Sequence, residues 1–502
     1  AVRNAVLELE SEAADYRDSA KDLLHAKFVE MAKRRWRSFC MADTTGAELS
    51  YGKTLIASLL FARWVKTNCA NQSMVGMILP ASVAGALVNI AILLAGKVPV
   101  NLNFTASKES IDSAAAQCKI RTIITSQAFL SKTEIEPMEG MVFVEAIIKS
   151  FGAWEKFASA LKALLLPASW LNRRAVKRQR ASDLATVIFS SGSTGAPKGI
   201  MLSHHNIVAN VEAISQVIQF SGADRIMGVL PLFHSFGFTG TLWLPLLAGF
   251  GAVYHANPTD AKTIGETIQK FKATLLISTP TFYMGYLRRC TKDQFSSLRY
   301  LIAGAEKLRE QIAKAYEEKF GLTILEGYGC TELAPVVSVN MPDVLDGREK
   351  QTGHKPGTVG HPIPGVAVKI VDPESGQPMG AGEEGLLLVK GANVMLGYLN
   401  QPALTDQAIR RGWYVTGDIA MIDEDGFIRI TDRLSRFSKI GGEMVPHVKI
   451  EEVINEVLGS AACVVTAIPD PQRGEKLVAF YTQNGVSRDE LWSKLLQTEL
   501  PK

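Results

Sequence analysis

Cysteine is scarce and scattered in this 502-residue chain: Cys40, Cys69, Cys118, Cys290, Cys330 and Cys463 lie far apart, with no CxxC and no paired spacing. Neither a disulfide framework nor a cysteine-based zinc site is therefore indicated, and free thiols of this kind suit a reducing compartment. An excess of one charge is lacking too. The 54 basic and 50 acidic residues leave a net charge of +4, which gives no electrostatic footprint for nucleic acid. No internal repeat and no low-complexity tract occurs, so solenoids and disordered arrays are set aside.

Long hydrophobic runs are reduced to one candidate. Residues 68–96 carry no charge, and ILPASVAGALVNIAILLAG within them is long enough to span a bilayer. Pro80 and Gly96 nevertheless punctuate the stretch into a strand (VGMILP), a helix (ASVAGALVNIAILLAGK) and a second strand (VPVNL), which predicts a buried β-α-β unit instead. An initiator Met and a signal-like segment are missing at Ala1, and the chain stops at Leu500-Pro501-Lys502, so both ends read as cuts from a longer protein.

Alternating strand and helix patterns fill the first two thirds: IRTIIT near 121, TVIF near 186, RIMGVLP near 225, GAVYH near 251, TLLIST near 274 and LRYLIAG near 298. This predicts parallel sheets covered by helices. From about Gly357 the texture changes to short β-runs split by Gly, Pro and Asp, which predicts a small antiparallel barrel at about 340–430. After Asp432 follows a small α+β unit. The predicted class is α/β, with a large N-terminal domain (1–432) of two helix-covered sheets plus the barrel, a hinge at 433–435, and an incomplete α+β C-terminal domain (436–502).

One loop stands out. SSGSTGAPKG, Ser190 to Gly199, follows the apolar run Ala185–Phe189 and leads into MLSHHNIVANVEAI, which reads as the start of a helix. A strand, a glycine-rich loop and a helix is an order that cradles phosphate, because glycine lets backbone N–H groups approach an anion. The P-loop pattern GxxxxGK[ST] fails here: Pro197 replaces its second glycine, and Gly199 replaces the hydroxyl needed for magnesium. Taken alone, the loop is equally well a solvated Gly/Ser turn.

Four further stretches keep it company. They are LFHSFG at Leu232–Gly237, AGAE at Ala303–Glu306, EGYGCTE at Glu326–Glu332, and WYVTGD at Trp413–Asp418 with Asp432-Arg433 beyond. With the loop, these five motifs in this order resemble the adenylate-forming superfamily of acyl-CoA synthetases, luciferases and peptide-synthetase adenylation domains, over nearly the whole chain.

The resemblance implies a site. Ser190, Ser191, Gly192, Ser193, Thr194, Gly195 and Lys198 would wrap the β- and γ-phosphates of ATP. Tyr328 would stack on adenine, with Gly304 and Ala305 near the base. Thr331 would bond the α-phosphate, and Glu332 would hold Mg²⁺. Asp418 would accept the ribose hydroxyls, Arg433 would donate to the same sugar, and His234 would sit beside the acyl carboxylate. Ser435 occupies the family's hinge position, where relatives commonly carry Asp or Lys, and Gly441-Gly442 would line the passage for the thiol. Singly, each has a plainer reading: His234 as a partly buried core histidine, Asp418 as a turn residue, Glu332 as a surface acid and Arg433 as half of an ion pair.

The implied reaction forms acyl-AMP from a carboxylate and ATP, after which a thiol displaces AMP. The stretches SSGSTGAPKGIMLSHHNI, PLFHSFGFTG and RLSRFSKIGGEMVPHVKIEEV are similar to the synthetase part of bacterial bifunctional 2-acylglycerophosphoethanolamine acyltransferase/acyl-ACP synthetases. That kinship implies a long-chain fatty acid as substrate, acyl carrier protein as acceptor, and a place at the cytoplasmic face of the bacterial inner membrane. No HxxxxD acyltransferase signature precedes it here. A long-chain fatty acyl-CoA ligase and a non-catalytic nucleotide-binding module are the alternatives. The apolar run SFGFTGTLWLPLLAGFG after His234 reads both as room for an alkyl chain and as a packed core helix.

Two further expectations come from the residues. Phe157–Arg180 joins an apolar run containing Trp170 to six cations with no acid, which reads either as an anionic-membrane contact or as a surface helix with a solvated basic linker. The family's PxTxxGK loop, which carries a catalytic lysine, is absent, and Lys502 lacks the preceding glycine to stand in for it. Adenylation by this chain is accordingly expected to be impaired.

Overall fold

The computed structural model describes residues 22–133, 135–175, 179–190, 197–347, 349–440, 443–460, 462–470, 474–482, 486–496 and 498. Ser191, Gly192, Ser193, Thr194, Gly195, Gly441 and Gly442 lie outside the described residues, and Ser435 is described by its backbone alone. The chain divides into two compact units, residues 1–368 with 389–414, and residues 369–388 with 415–502.

Among the described residues the first unit holds four sheets, the smallest being the two-stranded pair Val344–Asp346 and Glu349–Gln351. The largest has nine strands in the spatial order His361–Pro362, Val336–Val339, Ile324–Gly329, Tyr300–Ala303, Leu275–Ser278, Arg225–Gly228, Gly251–Tyr254, Phe39–Asp43 and Glu48–Ser50. Its middle six strands are parallel, from Ile324–Gly329 to Phe39–Asp43. Burial on both sides explains their apolar content: Leu275, Leu276 and Ile277 are all buried, as are Ala252 and Val253.

A second sheet pairs Val98–Asn101, Met74–Ile78, Ile123–Thr125 and Met141–Phe143, all parallel. The uncharged run sits here as the strand Met74–Ile78, the helix Val83–Leu94 and the strand Val98–Asn101. The helix is buried nearly all round, and its one interior amide, Asn89, is satisfied reciprocally by Asn101 at 2.9 and 3.2 Å. Among the described residues no helix is long and apolar enough to cross a membrane.

The third sheet corrects a sequence reading. Lys198–Ser203 is a strand, antiparallel to Leu184–Ser190 with Ser190 opposite Lys198, and the helix starts only at His204. Ser203 caps that helix, accepting from Asn206 N–H at 3.0 Å while Asn206 Oδ1 accepts from Ser203 N–H at 2.8 Å. The glycine-rich stretch therefore connects two strands of a hairpin. Its residues Gly199, Ile200 and Leu202 are buried between the Leu184–Ser190 strand and the short strand Gly397–Tyr398, which is why they extend.

In the second unit, strands Val366–Val371, Gly385–Gly391, Trp413–Ile422 and Ile428–Arg433 contribute most of one sheet, the last two pairing antiparallel. Beyond it, Glu443–Pro446, Phe437–Ile440, Gly474–Tyr481 and Cys463–Asp470 form another sheet, with helices His447–Leu458 and Arg488–Leu495. Its core is Ile454, Leu458, Cys463, Val465 and Leu491. This is the α/β class with a small α+β unit that the strand pattern predicts.

Candidate active site

Four neighbouring parallel strands, Arg225–Gly228, Leu275–Ser278, Tyr300–Ala303 and Ile324–Gly329, end along one edge of the large sheet, and the segments after them line one cavity of about 560 Å³. Arg225–Gly228 has Gly251–Tyr254 on one side and Leu275–Ser278 on the other, so the chain reverses its direction across the sheet at this strand. Open α/β sheets bind ligands at the carboxyl ends of strands beside such a reversal.

One side of the cavity is polar and reached by solvent. His234 opens a short helix, with its ring 4.6 Å from that of Phe233. His234 is an exposed residue, yet its apolar surroundings take the ring far enough from water to hold its pKa below the usual 6.5. The next residue, Ser235, places its Oγ 3.1 Å from Thr331 Oγ1. Gly304 N–H donates to the Ser278 carbonyl at 3.2 Å, and a Cβ at 304 would come within 3.1 Å of the Phe236 ring. Ala305 follows with φ +70°, a left-handed conformation costing about 1–2 kcal/mol for a residue with a Cβ.

Carboxylates brace this loop from below. Glu326 is buried and accepts from Leu308 N–H at 2.9 Å, and burial raises its pKa above the ordinary carboxylate value. Glu306 accepts from the N–H and hydroxyl of Thr281 at 3.1 and 2.6 Å. Tyr328 lines the cavity between them and Thr331.

Glu332 lies on the single turn Thr331–Leu333, which ends at Ala334 with φ +64°. Its carboxylate accepts the Tyr398 hydroxyl at 3.0 Å, and its carbonyl accepts Met395 N–H at 2.8 Å. Tyr398 is also hydrogen-bonded to Tyr414, and burial with the Glu332 charge pushes its pKa up, so the phenol keeps its proton and remains a donor. The Lys198 ammonium stands 5.8 Å from the centre of the Tyr398 ring. Gly199 permits this closeness: its carbonyl accepts Leu399 N–H at 2.7 Å, and a Cβ there would meet Leu399 Cβ at 3.1 Å.

The other side of the cavity is apolar and closed, with Ile214, Ile218, Ile226, Leu244 and Leu275 all buried. The run after His234 forms it partly: over Phe238–Trp243 the helix widens to π-type, and a Cβ on Gly240 would lie 2.5 Å from Ile277 Cδ1. The two readings of that run are thus compatible, since Phe238, Leu242 and Trp243 pack in the core while Gly240 lines the cavity.

In the second unit Asp418 and Arg433 stand opposite each other on paired strands, with Arg433 Nε 3.1 Å from Asp418 Oδ1. Asp418 is buried and its N–H donates to Thr416 Oγ1 at 3.0 Å, while Asp432 Oδ1 accepts from Arg433 N–H at 2.7 Å. The structure therefore gathers His234, Gly304, Ala305, Tyr328 and Thr331 around one cavity, links Glu332 to Tyr398, and pairs Asp418 with Arg433. Ser190 ends its strand directly opposite Lys198. Sequence reasoning gave no role to Ser235, Glu326 or Tyr398. The first two sit inside quoted motifs, but Tyr398 lies in an unmarked GYLN, and no spacing points to it.

A model of the family described as AMP-binding enzyme matches residues 28–399. The long-chain-fatty-acid–CoA ligase of Bacillus subtilis is 33% identical over 302 residues, 59% of this chain and 52% of that protein. A feruloyl-CoA synthase from an Amycolatopsis species is 34% identical over 295 residues, 58% of each. The matched part thus spans about half the length of these curated relatives. Among solved structures, ATP-bound MatB from Rhodopseudomonas palustris superposes with TM-score 0.78 at 24% identity, covering 96% of this chain and 93% of the other. The o-succinylbenzoate CoA synthetase of Bacillus subtilis, in complex with its acyl-adenylate intermediate, gives TM-score 0.79 at 21% identity over 96% and 93%.

Proposed function

Because the chain belongs to the AMP-binding enzyme family, we propose that it activates a long-chain fatty acid with ATP and transfers the acyl group to the thiol of coenzyme A. The observation that carries this reading is the cavity, which sets a closed apolar side suited to an alkyl chain against a polar side built from the sequence motifs. The sequence kinship points to acyl carrier protein as acceptor, whereas the relatives described above are CoA ligases and synthases, which favours coenzyme A.

In the first step the fatty-acid carboxylate attacks the α-phosphorus of ATP, the bond to pyrophosphate breaks, and acyl-AMP forms. Neutral His234 orients the carboxylate without neutralising it, and the Thr331 hydroxyl donates to the α-phosphate oxygen that gains charge. Tyr328 offers its ring to adenine beside the Gly304-Ala305 backbone, and Asp418 and Arg433 hold the ribose. Ser190 and Lys198, with Ser191 to Gly195 between them, take the β- and γ-phosphates. The Glu332 carboxylate, one oxygen engaged by Tyr398, is a hard donor that fits Mg²⁺, which when bound offsets phosphate charge. In the second step the thiol sulfur attacks the acyl carbonyl, the bond to AMP breaks, and the thiol proton is released. Ser435, inside the unit that holds residues 415–502, is the position proposed as hinge, and Gly441-Gly442 line the thiol's approach.

The test incubates the chain with palmitate, ATP and Mg²⁺ and either coenzyme A or acyl carrier protein, following pyrophosphate and thioester. Palmitoyl-CoA is the expected product. Thioester on carrier protein alone would return the thiol assignment to the sequence-based one, and nucleotide binding without turnover in either half-reaction would leave a non-catalytic module. Preformed palmitoyl-AMP, supplied separately, reads the thiol step without the PxTxxGK lysine.

A further inference from the structure

The helix Ala153–Leu165 carries its side chains the wrong way round for a surface helix. Successive residues advance about 100°, so Trp154, Phe157, Leu161, Leu164 and Leu165 share one stripe, and Ser159 and Ala163 lie on the opposite face. The small face is the buried one. It packs on the helix Tyr51–Asn68, with Glu155 held by Arg63 at 3.1 Å and the Leu164 carbonyl accepting from Lys33 Nζ at 3.1 Å. The large face is left in solvent: Trp154 is 74% exposed, Phe157 57%, Leu164 58% and Leu165 66%. The Trp154 and Phe157 rings, 5.8 Å apart, sit together on it, and Trp170 in the next helix is exposed as well.

This is an ordered apolar stripe, where scattered exposed residues would need no explanation. Its charge surroundings say what covers it. Lys162 is exposed on one flank, Lys156 is exposed further round beside Ala163, and from Lys156 to Ser182 the sequence has seven Lys and Arg and no Asp or Glu. A second copy of the chain would set these cations against each other, whereas an anionic lipid surface complements them and accepts the aromatic and leucine side chains at its headgroup boundary.

We propose that the face of Ala153–Leu165 docks the protein on anionic membrane. Trp154, Phe157, Leu161, Leu164 and Leu165 enter the boundary between headgroups and acyl chains, and Lys162 on the flank meets the headgroups. The proposal does not rest on the acyl-activation reading, and its readout is partition rather than turnover.

The experiment is co-sedimentation of the full chain with vesicles of phosphatidylcholine alone, or with roughly a third phosphatidylglycerol, at low and high salt. Binding is expected on the anionic vesicles, weakening with salt. The double variant Leu161→Gln/Leu164→Gln should bind about tenfold less or worse while keeping its thermal midpoint, because both side chains are already exposed. Lys162→Gln should lose only part of the advantage of anionic over neutral vesicles. Absence of binding, binding indifferent to lipid charge and salt, full binding by the leucine variant, or a concentration-dependent dimer that the leucine variant abolishes without any vesicle binding would each overturn the assignment.

Discussion

The two sides of the cavity are made by different rules. The polar side comes from short contiguous segments at strand ends, where backbone position matters as much as side chain: Gly304 must leave room for Phe236, and Ala305 holds φ +70°. The apolar side is assembled from residues far apart in the chain, such as Ile214, Ile226, Leu244 and Leu275, each buried and each replaceable in principle by another side chain of like volume. Chemistry constrains one side residue by residue, and only total volume constrains the other.

That contrast breaks if variants on the two sides change the same parameter. The largest effect belongs to the residue that follows Thr331 of the polar side: Glu332→Gln should lower fatty-acid-dependent pyrophosphate release by about a hundredfold or more, with the chain-length profile unchanged. Next comes the apolar side. Gly240→Val adds bulk where a Cβ already reaches within 2.5 Å of Ile277, so palmitate turnover should fall by roughly tenfold to a hundredfold while a much shorter acid is spared. A uniform loss across chain lengths would instead place Gly240 in the core alone.

Tyr398→Phe removes the donor to Glu332 and should raise the Mg²⁺ concentration needed for half-maximal activity by about tenfold, since a hydrogen bond to a carboxylate is at stake. An unchanged Mg²⁺ requirement would detach Tyr398 from the metal-binding role proposed for Glu332. The smallest effect concerns pH. With its pKa depressed by burial, His234 stays neutral through neutral pH and gains its charge only below the ordinary imidazole value. If the neutral ring supports turnover, the acid limb of the rate profile should lie below pH 6.5, and His234→Gln should flatten it with a loss of only about fivefold. A limb that persists in the variant belongs to another group.

The same contrast decides what could be read in advance. The parallel strands Ile123–Thr125, Arg225–Gly228, Gly251–Tyr254, Leu275–Ser278 and Tyr300–Ala303 were legible as short apolar runs bounded by turn residues, and the uncharged run at 68–96 divided correctly at Pro80 and Gly96, whereas TVIF, read with them as parallel, lies in the antiparallel strand Leu184–Ser190. The polar residues His234, Thr331 and Glu332 were legible as motifs. Tyr398 was not, because its role depends on the strand Gly397–Tyr398 pairing with Lys198–Ser203, a contact nearly two hundred residues distant in sequence. The helix assigned at Met201 failed for a related reason. Ile200, Met201 and Leu202 fit either period, and the neighbouring strands on both sides, invisible locally, decide for extension.

The hairpin that replaced the expected strand-to-helix turn also bears on protein engineering. Both stems of its loop are clamped in register, Ser190 against Lys198 and Phe189 against Gly199, and the second stem is held again from behind by Gly397–Tyr398. The intervening residues are therefore an exchangeable cassette. A graft from a relative of different loop length, joined outside the paired positions, should leave the scaffold intact. One residue inserted within the stem itself would instead turn Lys198 to the other face of its sheet and away from Tyr398.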